Sequence, residues 1–165
     1  MIETLYPYLV VLHVLAAIVW VGGVIFIGAV AMPAASRMGD AGREALRSVA
    51  RRFRPVGWGA LAVLVLTGSA FLYRWGATWE TLFDLSFFAA PHSRLLGYKL
   101  LFVGIMLVVS FVHDFVVGPR ASRAEAGTPR ARRLRNWAAI LGATTGGLVL
   151  AIVILAVFVA RPGLA

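Results

Sequence analysis

Leu5–Met32 reads LYPYLVVLHVLAAIVWVGGVIFIGAVAM, a run without one Asp, Glu, Lys or Arg. A helix rising 1.5 Å per residue crosses the ~30 Å hydrocarbon core of a bilayer with about 20 apolar residues. This run is long enough to span, and Pro33 closes it. It lacks the basic n-region and the short apolar core of a cleavable leader, so it reads as a retained helix. The same test finds three more blocks, at about 56–73, 95–117 and 137–160. Pro55, Pro91 and Pro119 lie at or outside block ends, where a lost backbone donor is tolerated. Lipid offers backbone groups no partners, which leaves closed helices, and nothing in the pattern suggests a β-barrel. The expected fold is an all-α membrane protein, a four-helix transmembrane bundle in a single domain.

The whole composition agrees. Of 165 residues, 61% are hydrophobic and 14% charged, with a mean hydropathy of +0.87. Soluble domains carry about 45–50% apolar and roughly 25% charged residues. The absence of cysteine excludes disulfides, thiolate metal sites and cysteine nucleophiles. A formal charge of +9 would suit nucleic acid, but the charges sit in short segments between apolar blocks, so no nucleic-acid partner is expected. No catalytic triad, phosphate-binding loop or paired carboxylates occur, which argues against hydrolase or nucleotide-driven chemistry.

The arginines orient the spans. The first loop holds Arg37, Arg43, Arg47, Arg51, Arg52 and Arg54 against Asp40 and Glu44; the third holds Arg120, Arg123, Arg130, Arg132, Arg133 and Arg135 against Glu125. The second loop balances Arg74 and Arg94 with Glu80 and Asp84. Basic loops stay cytoplasmic, so both termini are expected on the non-cytoplasmic side (N-out/C-out) of a bacterial inner membrane. Residues 37–53 are rich in helix formers and read as a short amphipathic helix in the first cytoplasmic loop, lying on anionic headgroups. Trp75, Trp79 and Trp137 mark interfaces, and residues 79–90 are expected to form a short outer-loop helix.

An ionisable group inside a span costs at least ~2.5–3.5 kcal/mol at the helix centre, so each one needs a reason. His13, Lys99 and His113 are the three, with His92 just ahead of the third span. His13 lies roughly 12 Å below the outer end of its span. Its face continues through Ala16, Ala17, Trp20 and Gly23, small enough for a neighbouring helix or a flat ligand to approach. A histidine there either bonds a neighbouring helix or handles a ligand or proton. Lys99 is shallow enough to snorkel outward, or it turns inward on the face it shares with Met106 and His113 at spacings of seven. His13 and Lys99 lie within roughly 6 Å of one depth, whereas His113 is about 21 Å further in. His13 with Lys99 or with His92 could therefore form one outer site. His113, beside Asp114, belongs to a second, inner site or is an interfacial histidine bonded to that aspartate. Gly142 and Gly146, and Gly68 after Thr67, read as helix packing.

Three stretches resemble a known group. LHVLAAIVWVGG (12–23), RRFRPVGWGALAVLVLTG (51–68) and LLGYKLLFVGIMLVV (95–109) are similar, in order, to the first three helices of the CopD-like membrane proteins. That superfamily implies two functions. CopD proteins are associated with copper resistance or uptake. The related HemJ proteins are associated with protoporphyrinogen oxidation and haem b, through a first-helix histidine and a third-helix lysine that match His13 and Lys99. HemJ proteins carry Leu-Pro-Arg after the first-helix glycine, where this chain has Ile27-Gly28-Ala29, and their lysine-to-histidine spacing on the third helix is shorter.

The reading placed first is a haem-b-binding membrane protein with an electron-transfer or porphyrin-related role, a membrane cytochrome working with a redox partner protein. Neutral imidazole suits iron, and helix bundles build cofactor sites from facing side chains. Its candidate cofactor-binding residues are His13, Lys99, Trp20 and His113; candidate metal ligands are His13, Lys99, His113 and His92. The alternative is a CopD-like copper-binding or copper-transport protein. Cu(I) favours thiolate and thioether ligands, and the chain has no Cys and 4 Met, of which Met106 shares the His113 face. A cofactor-free assembly subunit is the third reading.

Overall fold

The computed structural model describes residues 2–125 and 127–161; the side chains of Ile2, Glu3, Trp79, Phe83, Leu85, Pro91 and His92 lie outside the description. Among the described residues every regular element is helical. Four stretches are long and apolar enough to cross a membrane: Thr4–Arg37, Gly39–Arg74, Ser93–Arg123 and Pro129–Ala160. They are rich in Val and Ile, whose stiff side chains make them mediocre helix formers in water. In lipid the helix forms regardless, because an unpaired backbone group there costs several kcal/mol. The outward faces are greasy: Leu66 is 71% and Val108 64% exposed. Such faces suit acyl chains and would be costly in water.

The chain divides into two compact units, Met1–Phe83 and Asp84–Ala165. In the first, α1 (Ile2–Phe26) runs into a π-helical segment (Ile27–Ala31) and then α2 (Met32–Arg37). Gly39, at φ +62°, makes the turn into α3 (Gly39–Arg74), a left-handed conformation that an L side chain resists. The basic stretch expected to be a short amphipathic helix is indeed helical, but it is no separate element. It runs through Pro55 straight into the second span. Pro55 removes the bond to the Arg51 carbonyl without ending the helix. Packing beside it holds the axis: the Phe53 ring lies against Gly23 of α1 and Gly57 of α3, and Trp20 is 6% exposed. Lower down, Gly42 sits on the Ala35 carbonyl, where any Cβ would collide. The short helix α4 (Trp79–Phe83) ends the unit.

In the second unit Asp84 accepts from the Ser86 amide at 2.9 Å and starts a 3₁₀ turn (Leu85–Ala89). Helix α5 (Pro91–Phe111) leads into a second π segment (Val112–Val117) and α6 (Gly118–Arg123). The turn uses Gly127 at φ +87°. Thr128 caps α7 (Pro129–Ala160) by accepting from the Ala131 amide at 3.2 Å, with Pro129 in the first turn. Leu96, Met106 and Ser110 of α5 and Ala131, Thr145 and Val149 of α7 are buried.

Candidate functional site

Each unit holds one histidine whose ring is fixed by an oxygen. In the first, His13 Nδ1 lies 2.6 Å from Thr67 Oγ1, across the α1–α3 pair. The Thr67 hydroxyl has a single proton, and its best acceptor is the Val63 carbonyl at 2.7 Å, four residues back on its own helix. Towards His13 the oxygen then accepts, so Nδ1 carries a proton; in the neutral ring the lone pair is on Nε2. This tautomer is assigned from the bonding pattern. Phe71, one turn beyond Thr67, stacks at a tilt on the imidazole with centroids 5.3 Å apart. Gly68 keeps that flank clear: a Cβ there would stand 3.8 Å from His13 Cε1. Tyr6 meets Phe71 edge-on, and the Arg74 guanidinium lies 4.5 Å over the Tyr6 ring.

The small-residue face below His13 is also filled from within the unit. The Phe53 ring occupies the space between Gly23 and Gly57, next to Trp20. Of the two expectations for this face, a neighbouring helix or a flat ligand, the structure shows at that level the helix, through the Phe53 ring of α3.

In the second unit, His113 stands in the π segment, and its Nδ1 is 2.8 Å from Asp114 Oδ1. A carboxylate oxygen accepts from an imidazole N–H, so Nδ1 again donates; in the neutral ring the lone pair is again on Nε2. That nitrogen faces Gly142 of α7, at 3.7 Å from where a Cβ would sit. One half of the expected Gly142–Gly146 packing pair thus lies beside an imidazole. A Cβ at Gly146 would meet nothing within 4 Å. Seven residues before His113 the buried thioether of Met106 accepts from the Ser110 hydroxyl at 3.7 Å. Lys99 is half-buried on the same helix and makes no hydrogen bond or ion pair among the described residues. The side chain of His92 lies outside those residues, and among them no three His, Cys, Asp or Glu converge on one point.

In both imidazoles Nδ1 donates to an oxygen, as the non-ligating nitrogen of a metal-bound histidine does. Sequence reading missed Thr67 and Phe71 as partners of His13. The signal was weak: the two lie at i and i+4 on the second span, at a height legible only with the hairpin register.

Residues 47–159 match the family described as Copper resistance protein D. The chain belongs to that family. No curated protein and no solved structure matches it. The Copper resistance protein D match takes in Thr67, Lys99, Met106, His113 and Asp114, and begins after His13 and Trp20. It links this membrane protein to copper resistance. Neither the match nor the surroundings of His13 support haem b or an electron-transfer role.

Proposed function

We propose that this protein carries copper ions through the membrane, with the Nε2 atoms of His13 and His113 as binding stations and Met106 as a soft intermediate. Copper is the cargo here, not a resident cofactor. The observation that carries the reading is the bond from His13 to Thr67. It holds an imidazole inside a span with Nδ1 turned to an oxygen, as in metal-ligating histidines, and an ionisable group at that depth is costly without a task. Membership of the copper resistance family supports copper as the ion. Measured from its own turn at Met38, His13 is 25 residues up its helix, roughly 37 Å; His113 is only 11 residues before Ala124, roughly 16 Å. Each station thus has its own distance from the arginine-rich end of its unit. Those ends face the cytoplasm of a bacterial inner membrane and its anionic headgroups in this reading, supported by the twelve arginines of the two loops.

Copper content of cells grown at limiting copper, measured by elemental analysis, tests this. Expression of the wild type raises it, and His13→Ala and His113→Ala return it to the empty-vector level at equal protein abundance. Wild-type protein that leaves copper content at that level sinks the proposal, as does a haem Soret band in the purified protein that disappears in His13→Ala. A reporter fused after Ala165 is expected outside the cytoplasm.

A further inference from the structure

The two units repeat one element at an interval of 86 residues. The π segments end on the same hydrogen bond, Met32 N–H to the Ile27 carbonyl and Gly118 N–H to the His113 carbonyl. Each is followed by Pro-x-Ala-Ser-Arg, at 33–37 and 119–123. In both, the serine hydroxyl donates to the proline carbonyl, Ser36 to Pro33 at 2.7 Å and Ser122 to Pro119 at 2.9 Å. The helices that follow end at Arg74 and Ala160, again 86 apart. In this register Trp20, 6% exposed, falls on Met106, 4% exposed, and His13 falls on Lys99.

Lys99 therefore stands where the first unit keeps its imidazole. It shares a face with Leu96, Met106 and Ser110, all buried, and is turned from the exposed Tyr98 and Leu101. A lysine anchored in headgroups belongs on the exposed side. Besides Tyr98, the only other ionisable groups between Pro91 and Val117 are His92, Arg94, His113 and Asp114, and Asp114 lies fifteen residues on, roughly 22 Å along the axis.

We infer that Lys99 is a charge gate: its ammonium guards the approach to Met106 and His113 and keeps alkali cations out of the second unit. The inference rests on the reading of that buried face as a cation path. A fixed positive charge repels every monovalent cation in a low-dielectric surrounding, as basic side chains do in selective pores. A copper ion recovers the loss by binding thioether sulfur and imidazole nitrogen. Sodium, which prefers hard oxygen ligands, does not.

The test is sodium entry into proteoliposomes containing the full chain, for wild type, Lys99→Met and Lys99→Arg, with copper entry followed in parallel. Lys99→Met replaces the ammonium by an uncharged thioether of similar length and is expected to raise sodium entry about tenfold or more, while wild type and Lys99→Arg stay tight. A tight Lys99→Met protein overturns the gate. So does a Lys99→Arg protein that leaks like Lys99→Met, since charge would then not be the cause. Sodium leakage through Lys99→Met without copper entry through the wild type would leave the gate standing and remove copper as the cargo. Copper entry through the wild type with a tight Lys99→Met protein does the reverse.

Discussion

The two histidines are held in opposite ways. His13 is fixed by Thr67, 54 residues away on another helix, whereas His113 is fixed by the very next residue. The first geometry exists only when α1 and α3 pack in one register. The second is a local property of the π segment, with Gly142 of α7 merely alongside. The first unit therefore couples its site to its packing, and the second largely separates the two. Disturbing helix packing should damage the first site far more than the second.

The largest effect is expected at Gly23. A side chain there must displace the Phe53 ring, so Gly23→Val is overpacked and destabilised by about 1–3 kcal/mol or more. The thermal unfolding midpoint in detergent reads this loss, and copper binding at His13 should fall with it. An unchanged midpoint would mean that Phe53 does not hold the α1–α3 pair together.

Next comes Thr67→Val, which keeps the shape and removes the acceptor. Nδ1 loses its partner, at a cost of about 1 kcal/mol in stability. Loss of the group that orients a ligating imidazole typically costs 10–100-fold in metal affinity. Asp114→Asn, its counterpart, keeps an amide oxygen as acceptor and gives up only the charge, so a loss below about tenfold is expected. Copper titration of the two variants separates them. Equal losses would break the contrast between a tertiary and a local clamp.

What the sequence made legible follows the same division. The spans were plain because membrane burial is written in composition, and the His113–Asp114 pair was plain because its partners are neighbours. The His13–Thr67 bond was not. Reading it requires the register of the hairpin, and Pro55 suggested a helix boundary that the structure does not have. With α3 continuous from Gly39, Thr67 lies 29 residues beyond Met38 and His13 lies 25 before it, close to level across an antiparallel pair. The π segments left no trace either, since Ile27–Ala31 and Val112–Val117 look like ordinary apolar helix. Their shared Pro-x-Ala-Ser-Arg ending marks them in sequence.

Gly142→Ala should do little. Its methyl would sit at 3.7 Å from His113 Nε2, an ordinary contact, and stability should stay within about 0.5 kcal/mol. A strong loss of His113-dependent copper accumulation in this variant would show instead that the cargo itself needs the space beside Gly142.

The smallest effect lies at the start of the second unit. The Ser86 backbone amide, and after it the Ser86 hydroxyl, holds the exposed Asp84 carboxyl below its ordinary range. A carboxyl depressed in the folded state stabilises it above the unfolded value of about 3.9 and loses that contribution as pH falls through the lower folded value. Between pH 7 and 5 the 3₁₀ turn should therefore be indifferent to acid. Amide exchange at Ser86 should accelerate only below about pH 4, and Asp84→Asn should remove that pH dependence. Acceleration already near pH 5 would contradict a depressed carboxyl and mean that the turn is capped by something other than the Asp84 charge.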